Sequence, residues 1–245
     1  MSRQELLWFA VLLLLLCAAV YFAHYLIFRD VHHIFIYLIG DIAFVFLEVL
    51  LVTLVLDRLL QAREKRAREH KMNMVIGTFF SAMGQELLAL MAPLVADLPD
   101  IQRHLAIGPE TTDAELQAAV EYVHATDFAV VAQPEVLQPL RELLISRREL
   151  LLRLLENPVR LEHETFSDLL WAVSHLAEEL AARDDLERLP ASDLEHLGGD
   201  VDRAYTHLVG QWVRYMVHLK SRYPYLYSLA ARTNPLRPDA NAVVR

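Results

Sequence analysis

Ile34–Leu56 reads IFIYLIGDIAFVFLEVLLVTLVL, an apolar run whose only charged residues are Asp41 and Glu48. About 20 apolar residues suffice for a helix to cross the hydrocarbon core of a bilayer, so the stretch predicts a transmembrane span. Its two acids are seven residues apart and share one helical face. A carboxylate near the middle of a span costs roughly 2.5–3.5 kcal/mol, so each needs a partner or a proton.

Upstream, Leu6–Phe28 is a second apolar run, interrupted only by His24. It is too long for a signal peptide, and its start, MSRQE, lacks a positive excess. Trp8 at one end, and Tyr21, Tyr25 and Phe28 at the other, suit the aromatic belts of membrane interfaces. With spans at about 6–28 and 34–56, the five-residue link Arg29–His33 implies a tight antiparallel hairpin. Arg58, Arg63, Lys65, Arg66, Arg68 and Lys71 follow the second span, against the single Arg29 in the link. The positive-inside rule then puts both termini in the cytoplasm. The same six cations are expected to meet anionic lipid headgroups.

Beyond the spans the composition favours helix, and no stretch alternates as a strand does. The chain therefore reads as all-α: a two-helix transmembrane hairpin (1–56), a charged juxtamembrane stalk helix (57–98), a cytosolic helical bundle (99–235) and a loose tail (236–245). Thr112-Asp-Ala-Glu115 is a capping-box signature opening a helix to about His124. A Leu-rich helix spans Glu135–Glu156 and stops at Asn157-Pro158. Another covers Glu164–Arg183. Gly198-Gly199 is expected to break or kink the segment that starts near Pro190, ahead of a long central helix over Asp200–Arg222.

Charge and motifs exclude several classes. Residues 1–71 hold 8 Lys/Arg and 7 Asp/Glu of the chain's 23 and 32, so the remainder carries a net charge of about −10. Such an acidic surface argues against nucleic acid as a partner. Cys17 is the only cysteine, which rules out an intrachain disulfide and a thiolate metal cluster. No Walker loop, dinucleotide-binding glycine fingerprint or Gly-x-Ser-x-Gly elbow occurs, and no catalytic residue is assigned.

The segments Asn73–Phe80 (NMVIGTFF), Arg153–Pro158 (RLLENP) and Tyr223–Pro235 (YPYLYSLAARTNP) carry a resemblance. They resemble those of a family of uncharacterised bacterial two-span membrane proteins with a helical cytosolic domain. The resemblance implies a bacterial inner-membrane location and adds no activity and no site residue.

Two constellations can carry chemistry. In a hairpin symmetric about its link, Tyr21 lies opposite Asp41 with His24 one turn away, while Glu48 faces Leu14 and needs a partner from elsewhere. These intramembrane polar groups suit self-association, or a proton or cation path in an oligomer. Asp-x6-His occurs twice on polar helix stripes, as Asp168/His175 and Asp200/His207. Facing each other, these four would offer a carboxylate–imidazole site for a transition metal, although nothing in the sequence demands a cofactor. The alternative is a buried polar network.

The expected function is a membrane-anchored, self-associating interaction or regulatory module with an unidentified protein partner. A metal-dependent membrane-attached enzyme and an ion- or proton-conducting oligomer are the alternatives.

Overall fold

The computed structural model describes residues 3–157 and 164–244. Among them the chain is all-α, without strands; Val95 and Val130 form one isolated antiparallel bridge. It divides into two compact units, Met1–Lys65 and Arg66–Arg245.

The first unit holds α1 (Arg3–Phe28) and the start of α2 (Val31–Phe79). Only Arg29 and Asp30 separate them, a shorter link than the five residues expected. The short link works because Arg29 adopts a left-handed conformation, φ 51°, and its N–H bonds the carbonyl of Tyr25 at 2.8 Å. This closes α1 as a glycine usually would, at a cost of about 1–2 kcal/mol for a residue with a Cβ. Tyr21 of α1 lies close enough to Asp41 of α2 to interact with it, so α1 turns back beside α2. Around that pair the apolar side chains point outward: Leu14 and Ile39 are each 71% exposed and Phe46 73%.

The second unit is built around α9 (Ala191–Arg222), whose Val201, Ala204, Tyr205, Leu208, Val209, Trp212 and Val213 are fully buried. Against it lies α8 (Glu164–Ala181), contributing Phe166, Leu169, Leu170, Val173, Leu176 and Leu180 to the same core. The remaining helices are α3 (Gln85–Met91), α4 (Leu98–Leu105), α5 (Asp113–Ala125), α6 (Pro134–Ser146), α7 (Arg148–Leu155) and α10 (Pro224–Arg232). The expected capping box is formed: Thr112 Oγ1 accepts from Glu115 N–H, and the Glu115 carboxylate accepts from Thr112 N–H at 2.7 Å.

Several expectations are corrected. From Met72 on, the chain enters the core: Ile76, Phe79, Phe80, Met83, Leu87, Leu88 and Met91 are buried, so 72–94 packs as an interior element of this unit. A π turn over Phe80–Gly84 precedes α3, with the Gln85 N–H reaching back to the Phe80 carbonyl. A π turn carries one residue more than an α turn. Here Phe80 stacks on Tyr215 (5.1 Å, 11°) while Phe79 meets Phe166 edge-on.

Gly198-Gly199 does not break α9, because Leu197 and Val201 anchor the helix on either side. Gly198 instead lets the 130–132 segment come close: a Cβ there would touch Val130 O and Ala132 at 3.8 Å. The single helix expected over Glu135–Glu156 bends at Arg147 (φ −103°, ψ 6°), which keeps Leu144 and Leu151 both inside. Its expected stop at Pro158 lies outside the described residues.

The tail is not loose where it begins. Asn234 is fully buried and donates to the carbonyls of Leu105 and Ile107, and Leu236 behind it is fully buried too.

Candidate functional site

The strongest concentration of polar chemistry lies along the seam between α8 and α9, where the two helices run antiparallel. Thr165 meets Gln211 at 3.4 Å, His175 meets Asp200, Glu179 meets His196, and Arg183 just past α8 meets Asp193. The apolar faces of both helices are buried, and these side chains occupy the edge of the same interface.

His175 and Glu179 are one turn apart on α8, as are His196 and Asp200 on α9, so each pair shares a face. The His175 Nε2 lies 3.5 Å from Asp200 Oδ1 and 3.8 Å from Glu179 Oε1. The His196 Nε2 lies 3.5 Å from Asp200 Oδ2 and 3.6 Å from Glu179 Oε2. Both imidazoles are about half exposed, at 46% and 54%, whereas the Asp200 side chain is only 4% exposed.

Two arginines hold the acids from outside. Arg203 donates to Asp200 Oδ1 at 2.8 Å. Arg183 donates to Glu179 Oε2 at 2.8 Å and, through two parallel bonds of 2.7 Å, to both oxygens of Asp193. The bonds from Arg183 hold the Glu179 and Asp193 carboxyls below the usual carboxylate range. Asp200 Oδ2 is buried and has no hydrogen-bond partner among the described residues. An unsatisfied carboxylate oxygen in the interior is costly, so this atom is the one to be explained.

Of the four residues expected to form a metal site, the structure brings together His175 and Asp200. Asp168 is exposed and His207 half-buried, and neither joins the cluster. The reason is rise per residue: Asp-x6-His sets its ends two turns apart, about 10 Å along a helix, too far to share one ion. Glu179 and His196 take their place. The readable signal was His-x3-acid, which occurs on both helices as His175/Glu179 and His196/Asp200.

In the first unit Tyr21 and Asp41 interact, and the His24 ring lies against Phe28 at 4.7 Å. Glu48 is exposed on α2, as are Arg58, Arg63 and Lys71. The side chains of Lys65, Arg66 and Arg68 lie outside the described residues.

These observations define an all-α protein with an outward-facing apolar helix pair and a separate helical unit that has its own core. The chain belongs to the MJ1433 family: residues 2–60 match the N-terminal helical domain described for MJ1433, and residues 68–232 its C-terminal helical domain. It is 43% identical over 234 residues to the uncharacterized protein MJ1433 of Methanocaldococcus jannaschii, covering 96% of this chain and 94% of the relative. That organism is an archaeon, which overturns the bacterial attribution implied by the resemblance. No solved structure matches the chain.

Proposed function

We propose that this protein is a membrane-anchored module in which α1 and the apolar part of α2 cross a lipid bilayer as a hairpin. The second unit is then the working part, a binding or regulatory domain tethered to the cytoplasmic face. One observation carries the reading. Leu7–Phe28 and Ile34–Glu64 are 22 and 31 residues long, apolar enough to span a membrane, and 0% buried. Water does not tolerate a continuous apolar surface of that extent, and lipid is the solvent that does. A third stretch, His70–Leu94, is also long and apolar enough, but 44% of it is buried, which supports a place in the domain core.

Six cations after the second span against one in the link favour cytoplasmic termini. Self-association through the face bearing Asp41 and Glu48 belongs to the same reading, since pairing between protomers offsets the cost of acids in lipid.

Alkaline extraction of membranes, followed by cysteine labelling in a Cys17→Ser background, tests the anchor and its direction. Asp30→Cys should react with a membrane-impermeant thiol reagent from outside sealed cells, and Gln61→Cys only after permeabilisation. Release of the protein by alkali, or labelling of position 61 in sealed cells, overturns the reading.

A further inference from the structure

The polar cluster on α8 and α9 has the ligand types of a metal centre, and three of its residues, His175, Glu179 and Asp200, offer ligand atoms within 4.8 Å of one another. We propose that His175 Nε2, His196 Nε2, Glu179 Oε1 and Asp200 Oδ2 bind one divalent transition-metal ion, with zinc as the best fit. The proposal is independent of the membrane anchor.

Three observations carry it. First, each imidazole lies 3.5–3.8 Å from one oxygen of Asp200 and one of Glu179, too long for hydrogen bonds. Two of these separations, His175 Nε2 to Glu179 Oε1 at 3.8 Å and His196 Nε2 to Asp200 Oδ2 at 3.5 Å, are edges of the proposed set, against about 3.3–3.4 Å in a tetrahedron whose ligands sit about 2.0–2.1 Å from zinc. His175, Glu179 and Asp200 already offer ligand atoms within 4.8 Å of one another, and His196 shifts toward them to complete the set. Second, the Asp200 side chain is only 4% exposed, and its Oδ2 has no hydrogen-bond partner among the described residues, with His196 Nε2 3.5 Å away. Third, the arginines have divided the carboxylates. Arg203 takes Asp200 Oδ1 and Arg183 takes Glu179 Oε2, leaving one oxygen of each acid for an ion. Metal-ligating carboxylates are oriented by such outer partners.

Charge and ligand type narrow the ion. Two carboxylates neutralise a dication, and two imidazoles select a transition metal over calcium or magnesium. Four protein ligands leave no open tetrahedral position, which describes a structural or sensing site rather than a hydrolytic one. The half-exposed histidines leave a path for the ion to enter and leave.

The competing account has protonated histidines simply paired with the buried aspartate, and metal titration separates the two. Tag-free full-length protein in detergent, stripped with a chelator, is titrated with zinc chloride by calorimetry. We expect one ion per chain, at least tenfold weaker binding in His175→Ala and in His196→Ala, and wild-type binding in His207→Ala. Both histidines are solvent-accessible, so these variants should keep the fold, which circular dichroism verifies. Asp200→Asn should abolish binding, but the histidine variants decide the matter if it does not fold. No zinc uptake by the wild type, or uptake unchanged in both histidine variants, overturns the site.

Discussion

Arg183 grips Asp193 through two parallel 2.7 Å bonds while its third nitrogen reaches Glu179, one turn back on α8. One guanidinium therefore ties the end of α8 to the start of α9. Both acids have carboxyls held below their unfolded range, chiefly by the bonds from Arg183. A depressed folded pKa contributes stability above the unfolded carboxylate value, and that stability is lost as pH falls through the folded value. Arg183→Gln should accordingly destabilise most near neutrality and progressively less below about pH 4. Thermal melts of both proteins at several pH values check this; a difference that grows on acidification contradicts it.

Gly199 of α9 and Gly84 of the π turn should respond oppositely to alanine. Nothing lies within 4 Å of a Cβ on Gly199, so Gly199→Ala should stabilise by about 0.8–1 kcal/mol through helix propensity. A Cβ on Gly84 would stand 2.6 Å from Phe80 Cδ1 and 2.8 Å from Phe79 Cε1, both on buried rings. Gly84→Ala should cost about 1–3 kcal/mol by overpacking. Chemical denaturation of the two variants reads both signs.

Asn234 should behave as a core residue. Its side-chain amide donates to the Leu105 and Ile107 carbonyls, and its oxygen accepts from the Leu236 N–H. Asn234→Ala leaves these buried groups unpaired, at about 1–3 kcal/mol for each group left unsatisfied. Leu236→Ala should cost about 2–5 kcal/mol by cavity formation. Wild-type melting of both variants would show that the tail does not support the fold.

Within the proposed anchor, Asp41→Leu and Glu48→Leu should weaken self-association, read as a lower oligomer mass in detergent by light scattering. Tyr21→Phe, which removes the donor to Asp41, should leave the monomer's helix content unchanged. An unchanged mass in both acid variants would exclude these carboxylates from the contact.

Legibility in the sequence followed from how local the signal was. The all-α class and the Thr112–Glu115 capping box were readable because helical periodicity and cap chemistry act over a few residues. Gly198-Gly199 misled because propensity is a weak prior that the burial of Leu197 and Val201 overrides. The Arg147 bend is likewise set by packing, since Leu144 and Leu151 must both reach the core. The polar cluster was half legible. His175 and Asp200 stood out on their stripes, but Glu179 and His196 became relevant only once the helix register was known.

That register has its own consequence. Apolar burial decides which faces of α8 and α9 meet, and the polar side chains at the edge of the interface add a constraint on how far along they meet. The polar rungs act as a vernier. Sliding one turn in one direction sets Glu179 against Asp200 and Arg183 against His196; sliding the other way sets His175 against His196. Either slide parts His175 from Asp200 and Glu179 from His196, so the observed alignment is the one in which both contacts form at once.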